Sequence, residues 1–245
     1  MEVAGWRLDL VVFGRFPSDG TPMNGLVLRG HGETVIIDGG AGVVAAWGPC
    51  PDDREEALRS VGVEPGDVTR IILSHWDYDH AGGLVRGTWP APLEPVYPGV
   101  PVLALDEDLS FWRTNPAGDA ELNCGTRVLA TLEAAGVLEP VAAGVEVLPS
   151  IRLRSIPGHS PGQAMVEVGD AVVFGADLVH EAVHVRRPQD DFEWDHDPER
   201  GLATRRRELP LLAERGVLVA FTHVDGWGRV VRAAGGDLEW EPVTA

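Results

Sequence analysis

Four potential metal ligands fall within six residues: His75, Asp77, Asp79 and His80, in the stretch Leu73-Ser74-His75-Trp76-Asp77-Tyr78-Asp79-His80-Ala81-Gly82-Gly83. Ahead of them, Val68-Thr69-Arg70-Ile71-Ile72-Leu73 is short, apolar and β-branched, the pattern of a buried strand. Behind them, Ala81-Gly82-Gly83 lets the chain turn tightly and start a helix. Ligands on a loop at the end of a buried strand are held rigidly yet stay reachable by solvent. Imidazole suits zinc, iron and copper, whereas carboxylate suits harder ions such as manganese or magnesium. Two of each point to a mixed nitrogen and oxygen site for one ion or two; the plainer reading is a solvated, Asp-rich turn.

Three more strand ends bear on that choice. Ile156-Pro157-Gly158-His159-Ser160-Pro161-Gly162 puts His159 in a tight turn, Val172-Val173-Phe174-Gly175-Ala176-Asp177 puts Asp177 just past a strand, and residues 217–221 deliver His223 in the same way. A lone His or Asp in such a place is more often structural. Four strand ends that each offer a metal-type donor are hard to attribute to chance.

The rest of the pattern alternates strands and helices. Residues 6–13 read as a first strand, and residues 26–28 and 34–37 flank Gly30-His31-Gly32, a hairpin signal. Asp38-Gly39-Gly40-Ala41-Gly42 lacks the lysine and spacing of a nucleotide-binding loop and reads as backbone packed close to the site. Helices are predicted over 52–61, 126–135 and from 197 toward 214, the last with a capping Asp197, Pro198 at its first position and a kink expected before Pro210. The proline-rich stretch 86–101 reads as an irregular loop or lid. A second hairpin surrounds Gly169-Asp170. Each half thus gives strands and then helices, which suits an α/β architecture of two sheets face to face with helices outside. No linker is visible, so residues 1–245 read as one domain.

With 44% apolar residues the chain is globular, and no apolar run reaches membrane-spanning length. Its net charge of -18 repels nucleic-acid phosphates and anionic membranes, which favours a small-molecule substrate. Two cysteines, Cys50 and Cys124, exclude a disulfide framework. The first residues lack a secretory leader, so a reducing cytoplasm is the expected location. A homodimer stays open.

The motifs Ser-His-Trp-Asp-Tyr-Asp-His-Ala-Gly-Gly, Pro-Gly-His-Ser-Pro-Gly, Gly-Ala-Asp and Thr-His, in that order and in those strand contexts, resemble the metallo-β-lactamase-fold hydrolase superfamily. Residues 222–230 and Asp177-Leu178-Val179-His180 are most similar to its methyl parathion hydrolase and acyl-homoserine lactonase branch. The resemblance implies an αββα four-layer sandwich holding two divalent metal ions. It implies His75 and His159 on the first ion, Asp79, His80 and His223 on the second, Asp177 bridging both, and Asp38 as a support that orients ligands.

Three positions depart from the family. Asp77 stands where a histidine is usual: either it gives the first ion an oxygen donor, shifting preference from zinc toward manganese or iron, or it points away and leaves that site weak. His180 stands where acyl-homoserine lactonases have tyrosine, and Gln163 where a second histidine is frequent. The family's chemistry is hydrolysis by metal-activated hydroxide, on a small ester, lactone, thioester or phosphoester. Asp79 and Asp177 would also shuttle protons, and His180 either donates to the oxyanion or leaving group or merely packs beside the site. Trp76, Tyr78, Phe111, Trp112, Trp194 and Trp227 are candidates for substrate contact, or core filler. The acidic run 190–197 reads as a flap or a solvated face. Two alternatives share the fold: a biosynthetic thioesterase or cyclase docking a carrier protein on Arg205-Arg206-Arg207, and a non-catalytic relative decayed through Asp77. A two-iron oxidoreductase would need a flavin domain, and none is visible.

Overall fold

The computed structural model describes residues 1–42, 53–87, 91–114, 125–190 and 193–243. Cys50 and Cys124 lie outside them. The first half opens with β1 (Glu2–Val3), β2 (Trp6–Arg15), β3 (Pro22–Gly30) and β4 (Glu33–Ile37). Next come α1 (Arg54–Ser60), β5 (Arg70–Ile72), α2 (Tyr78–Ala81) and two short strands, β6 (Val85–Arg86) and β7 (Glu94–Pro95). It closes with β8 (Val102–Leu105), α3 (Asp106–Thr114), α4 (Gly125–Ala134) and β9 (Leu138–Val141). The second half holds β10 (Glu146–Leu148), β11 (Ile151–Ser155), β12 (Ala164–Val168) and β13 (Val172–Phe174). After them come α5 (Ala182–Arg186), α6 (Pro198–Arg215), β14 (Leu218–Ala220), β15 (Trp227–Arg232) and β16 (Leu238–Val243).

The strands form two seven-stranded sheets, ordered β1-β2-β3-β4-β5-β8-β9 and β10-β11-β12-β13-β14-β15-β16. Alternation along the strands builds the layers, because successive side chains point to opposite faces. Leu26, Leu28, Val35 and Ile37 pack inward against Leu153, Val166 and Phe174 of the other sheet. Their neighbours Val27 and Ile36 point outward, onto Leu58, Leu109 and Leu132 of the helices. On the far side, Met165, Val173 and Val219 meet Val185, Leu209 and Leu212 of α5 and α6. The result is helix, sheet, sheet, helix: the αββα sandwich expected from the sequence.

Strand direction then places the chemistry. β4, β5 and β8 run parallel, as do β13 and β14, so their C-terminal ends share one edge of the sandwich. Asp38 follows β4, His75 follows β5, Asp177 follows β13 and His223 follows β14. Loops at the carboxyl ends of parallel strands are where open α/β sheets bind ligands.

Several local expectations are corrected. The helix expected to begin at the glycines instead begins inside the motif, at Tyr78, and Gly82–Leu84 forms a 3-10 turn. Starting the helix earlier places Asp79 and His80 on its first turns, facing inward. The proline-rich stretch is no lid: β6 pairs with β7, Val96 N donates to Leu84 O, and Tyr97 is buried in the outer core. Residues 88–90 of that stretch lie outside the described residues. Residue 52 of the first predicted helix also lies outside them, and Asp53 stands at its N-terminus. Pro210 sits inside α6, which runs unbroken to Gly216 in the left-handed conformation.

Candidate metal centre

Seven side chains from four segments of the chain converge at the shared edge: His75, Asp77, Asp79 and His80 from one, and His159, Asp177 and His223 from one each. Asp177 Oδ2 is at their middle: it lies 3.5 Å from His159 Nε2, 3.9 Å from His75 Nε2, 3.3 Å from His80 Nε2 and 3.1 Å from His223 Nε2. Around it stand two sets. In one, Asp77 Oδ2 is 3.0 Å from His159 Nε2 and 3.6 Å from His75 Nε2. In the other, Asp79 Oδ2 is 3.2 Å from His223 Nε2 and 3.6 Å from His80 Nε2. Neighbouring donors of a tetrahedral zinc site, with bonds of about 2.0–2.1 Å, stand about 3.4 Å apart. The two sets have that spacing.

The ring nitrogens facing outward fix the tautomers. His223 Nδ1 is 2.9 Å from Pro22 O, a group that can only accept, so Nδ1 carries the proton and Nε2 faces the centre. His80 Nδ1 lies 2.8 Å from Asp38 Oδ2 with the same consequence. Asp38 also accepts from Ser74 N and from Ser74 Oγ, both at 2.7 Å, and Ser74 Oγ in turn lies 3.0 Å from His75 Nδ1. One carboxylate thereby orients an imidazole of each set, the kind of support that metal-binding histidines need. Asp38 holds a positive φ of 62°, and Ala176, beside Asp177, one of 45°. Such non-glycine conformations are costly and cluster at functional sites.

The electrostatics match a site made for cations. His75 Nε2 and Asp177 Oδ1 are buried without a hydrogen-bond partner among the described residues. Burial acts on Asp77 and Asp177 to raise their pKa, but the neighbouring histidines override it and hold both carboxyls well below the usual range. Asp79 is lowered as well, by His80 and His223 against the same burial. Conversely, burial opposes charge on His223, yet Asp177 and Asp79 carry its pKa up to about 9. His80 is likewise raised, well above its ordinary value, by Asp177, Asp79 and Asp38. Without cations, protons on the imidazoles neutralise the crowded carboxylates; divalent ions fit the same positions. Asp77, one of the two alternatives left by the sequence, points into the cluster.

His180 lies at the rim. Its Nε2 is 3.4 Å from Asp177 Oδ2 and its ring stacks on His223, with centroids 5.5 Å apart and planes 14° apart.

Glycines let the His159 loop approach its supports. A Cβ on Gly158 would lie 2.3 Å from Gly201 Cα of α6, and one on Gly162 would lie 2.1 Å from Asp108 N of α3. The glycine loop after β4 packs as the sequence suggests: Gly39 N donates to His80 O and Gly83 N to Gly40 O.

Of the aromatic candidates, Trp76 and Trp112 are core residues, buried in the layer between the first sheet and its helices. Trp227 packs on the core between the sheets and Trp194 is 61% exposed. Tyr78 stays near the mouth, edge-on to Phe16, whose ring centroid is 5.7 Å from that of His223. Phe111 stands edge-on to His196. Periodicity could not separate these cases, because a loop tryptophan after a strand reads alike whether it folds inward or outward.

The basic cluster is corrected too. Arg205 is buried and grips Asp195 with two nitrogens, at 2.6 and 3.3 Å. Arg207 pairs with Glu208. Arg206 and Arg207 remain the exposed part of the cluster. Asp195 belonged to a run read as a flap or a solvated face; its side chain is buried, 3.8 Å from His159 Nδ1. Backbone bonds from His196 N to His159 O and from Asp197 N to Gly158 O pin that segment to the loop. Residues 191 and 192 of the run lie outside the described residues.

Two supporting residues, Asn24 and Asp108, escaped the sequence reading, and a third, Gln163, stood there only as a departure from the family. Asn24 donates to Phe221 O and Val224 O, at 3.0 and 2.7 Å, tying the first sheet to the His223 loop. Gln163, with its amide oxygen toward the backbone, accepts from Asp177 N and Leu178 N at 3.1 and 3.2 Å. Asp108, in the first turn of α3, is buried and accepts from Trp76 N. Burial pushes its carboxyl up to about 7, against the pull of Ser160 Oγ. A polar residue inside an otherwise apolar stretch was the available signal for Asn24 and Gln163.

Known proteins share this fold. The family described as the metallo-beta-lactamase superfamily matches residues 19–223. No curated protein matches. Among solved structures, hydrolase AbOPH of the beta lactamase superfamily superposes with a TM-score of 0.85 at 21% identity, over 100% of this chain and 97% of that one. AidC, a dizinc quorum-quenching lactonase in complex with a product, gives 0.84 at 19% identity over 100% and 97%. A mutant of AiiA from B. thuringiensis, with N-decanoyl-L-homoserine at its active site, gives 0.68 at 20% identity over 92% and 95%. At these identities the likeness speaks to fold.

Proposed function

The chain belongs to the metallo-β-lactamase superfamily, and on that premise we propose a hydrolase that uses two divalent cations to cleave a small ester, lactone, thioester or phosphoester. One observation carries this reading: both donor sets meet at a single oxygen, Asp177 Oδ2. His75, Asp77 and His159 would hold the first cation, Asp79, His80 and His223 the second, and Asp177 both. When bound, the pair supplies acidification of a water and polarisation of the substrate oxygen.

Each set offers two imidazoles and two carboxylates. Asp77 adds hardness and negative charge where an imidazole is usual, so we assign manganese or iron(II) to the first position in preference to zinc. Asp177 Oδ1, which has no partner among the described residues, takes the proton released by the attacking water, with Asp79 as the second acceptor. His180, at the rim and beside Asp177, donates to the oxyanion or the leaving group. Phe16 and Tyr78 give the substrate an aromatic wall next to His223. The net charge of -18 leaves nucleic acids outside the substrate range. Among the described residues no helix is long and apolar enough to cross a membrane.

The test is a panel of esters, lactones, thioesters and phosphotriesters, assayed with protein reconstituted in manganese, iron(II) and zinc. Turnover of at least one class, lost on chelation and slowed in His180→Ala, is expected. Absence of turnover for every class with every metal refutes the reading.

A further inference from the structure

Asp108 touches no proposed ligand, yet it joins the two loops that carry Asp77 and His159. Its Oδ2 accepts from Trp76 N at 2.9 Å, one residue before Asp77. Its Oδ1 accepts from Ser160 Oγ, one residue after His159, and from Gly162 N at 3.2 Å. We infer that Asp108 is the positioning residue of the first cation: it sets the distance between the Asp77 loop and the His159 loop. The inference rests on reading the centre as a metal site.

The two loops leave opposite sheets, one after β5 and the other after β11. A brace between them must therefore come from a third element, and α3 provides it. Asp108 is 1% exposed, so its carboxylate has no water to fall back on and depends on these three donors. Its place in the first helical turn, beside Asp106 and Glu107, suits a negative charge. Gly162 permits the close approach, since any Cβ there would strike α3. All three contacts sit on the side of the first cation. The second cation's histidines have separate supports: Asp38 under His80, Pro22 O under His223, and Asn24 behind the His223 loop. Removing Asp108 should thus disturb one cation and spare the other.

The experiment titrates metal-stripped protein with zinc against a competing chelator, for the wild type, Asp108→Asn, Ser160→Ala and the double variant. His159→Ala and His223→Ala identify which binding step belongs to which cation. In Asp108→Asn the amide can replace only part of the acceptor set, and the first cation's affinity is expected to fall about ten- to hundredfold. Ser160→Ala should lower the same step by less. The double variant should lower the same step at least as far as Asp108→Asn alone, because the single oxygen left by Asn can still accept from Ser160. The second cation's affinity should stay within about twofold. Equal weakening of both cations, or no change in either, overturns the inference even if thermal stability drops, and leaves the hydrolase reading standing. If Asp108→Asn does not fold, Ser160→Ala decides by the same criterion. Wild-type protein that binds no cation overturns the inference and the hydrolase reading together.

Discussion

Metal uptake by this centre should release protons, and the amount should depend on pH in a defined direction. A nitrogen that binds a cation must first give up its proton. Without metal, His223 is raised to about 9 by Asp177 and Asp79 against burial, and His80 is raised well above its ordinary value. At pH 7.5 an imidazole with that pKa holds about 0.97 of a proton, and at pH 10 about 0.1. The carboxylates are held low and are already ionised at both values, so they release nothing. Nδ1 of each ring keeps its proton, bound to Pro22 O or Asp38, so the proton lost is the one on Nε2. His223 alone should therefore release about one proton per chain when both cations bind at pH 7.5 and almost none at pH 10, and the raised His80 should add to the release. Calorimetric titration in two buffers of different ionisation enthalpy measures this directly. Release below about half a proton at pH 7.5, or equal release at pH 7.5 and 10, refutes the electrostatic account.

Other consequences can be checked in parallel. The stability that protonated His223 gives the metal-free protein is complete below about 6.5 and is lost as pH rises through about 9, so its thermal midpoint should fall on that side. On the acid side, the depressed Asp77 and Asp177 contribute above about 3.8, and their share is lost as pH drops below it. His159→Ala and Asp177→Ala should reduce turnover to background while circular dichroism stays native; full activity in either removes the assigned role. Asn24→Ala leaves Phe221 O and Val224 O buried without their donor and should cost about 1–3 kcal/mol by denaturant titration. Gly158→Ala puts a Cβ 2.3 Å from Gly201 Cα and should cost at least about 1–3 kcal/mol, with His159 displaced; an unchanged midpoint contradicts the close packing.

The candidate ligands were legible in the sequence because they follow short strands, a pattern that survives without knowledge of tertiary contacts. His75, His159, Asp177 and His223 follow four such strands; parallel pairing aligns the ends of β4 with β5 and of β13 with β14, and β11 reaches the same edge through its antiparallel pairing with β12. The layers were legible for a related reason: inward Leu26 and Leu28 alternate with outward Val27. What escaped were interactions decided by tertiary packing. Asp195 and Arg205 each looked like surface charge, and only their mutual burial shows otherwise. Trp76 lies within the motif, yet its side chain folds into the outer core. Asp108 sits in a helix start rich in acids, where one buried carboxylate is indistinguishable from its exposed neighbours. The early start of α2 was missed because the glycines after the motif are the stronger local signal.

The central claim is that one aspartate oxygen organises two cation positions. Elemental analysis of purified protein, with Asp177→Ala beside it, tests this most directly. Two divalent ions per wild-type chain and a loss affecting both positions in Asp177→Ala are the predicted result. Less than one ion per wild-type chain, or an Asp177→Ala protein that keeps both, contradicts it.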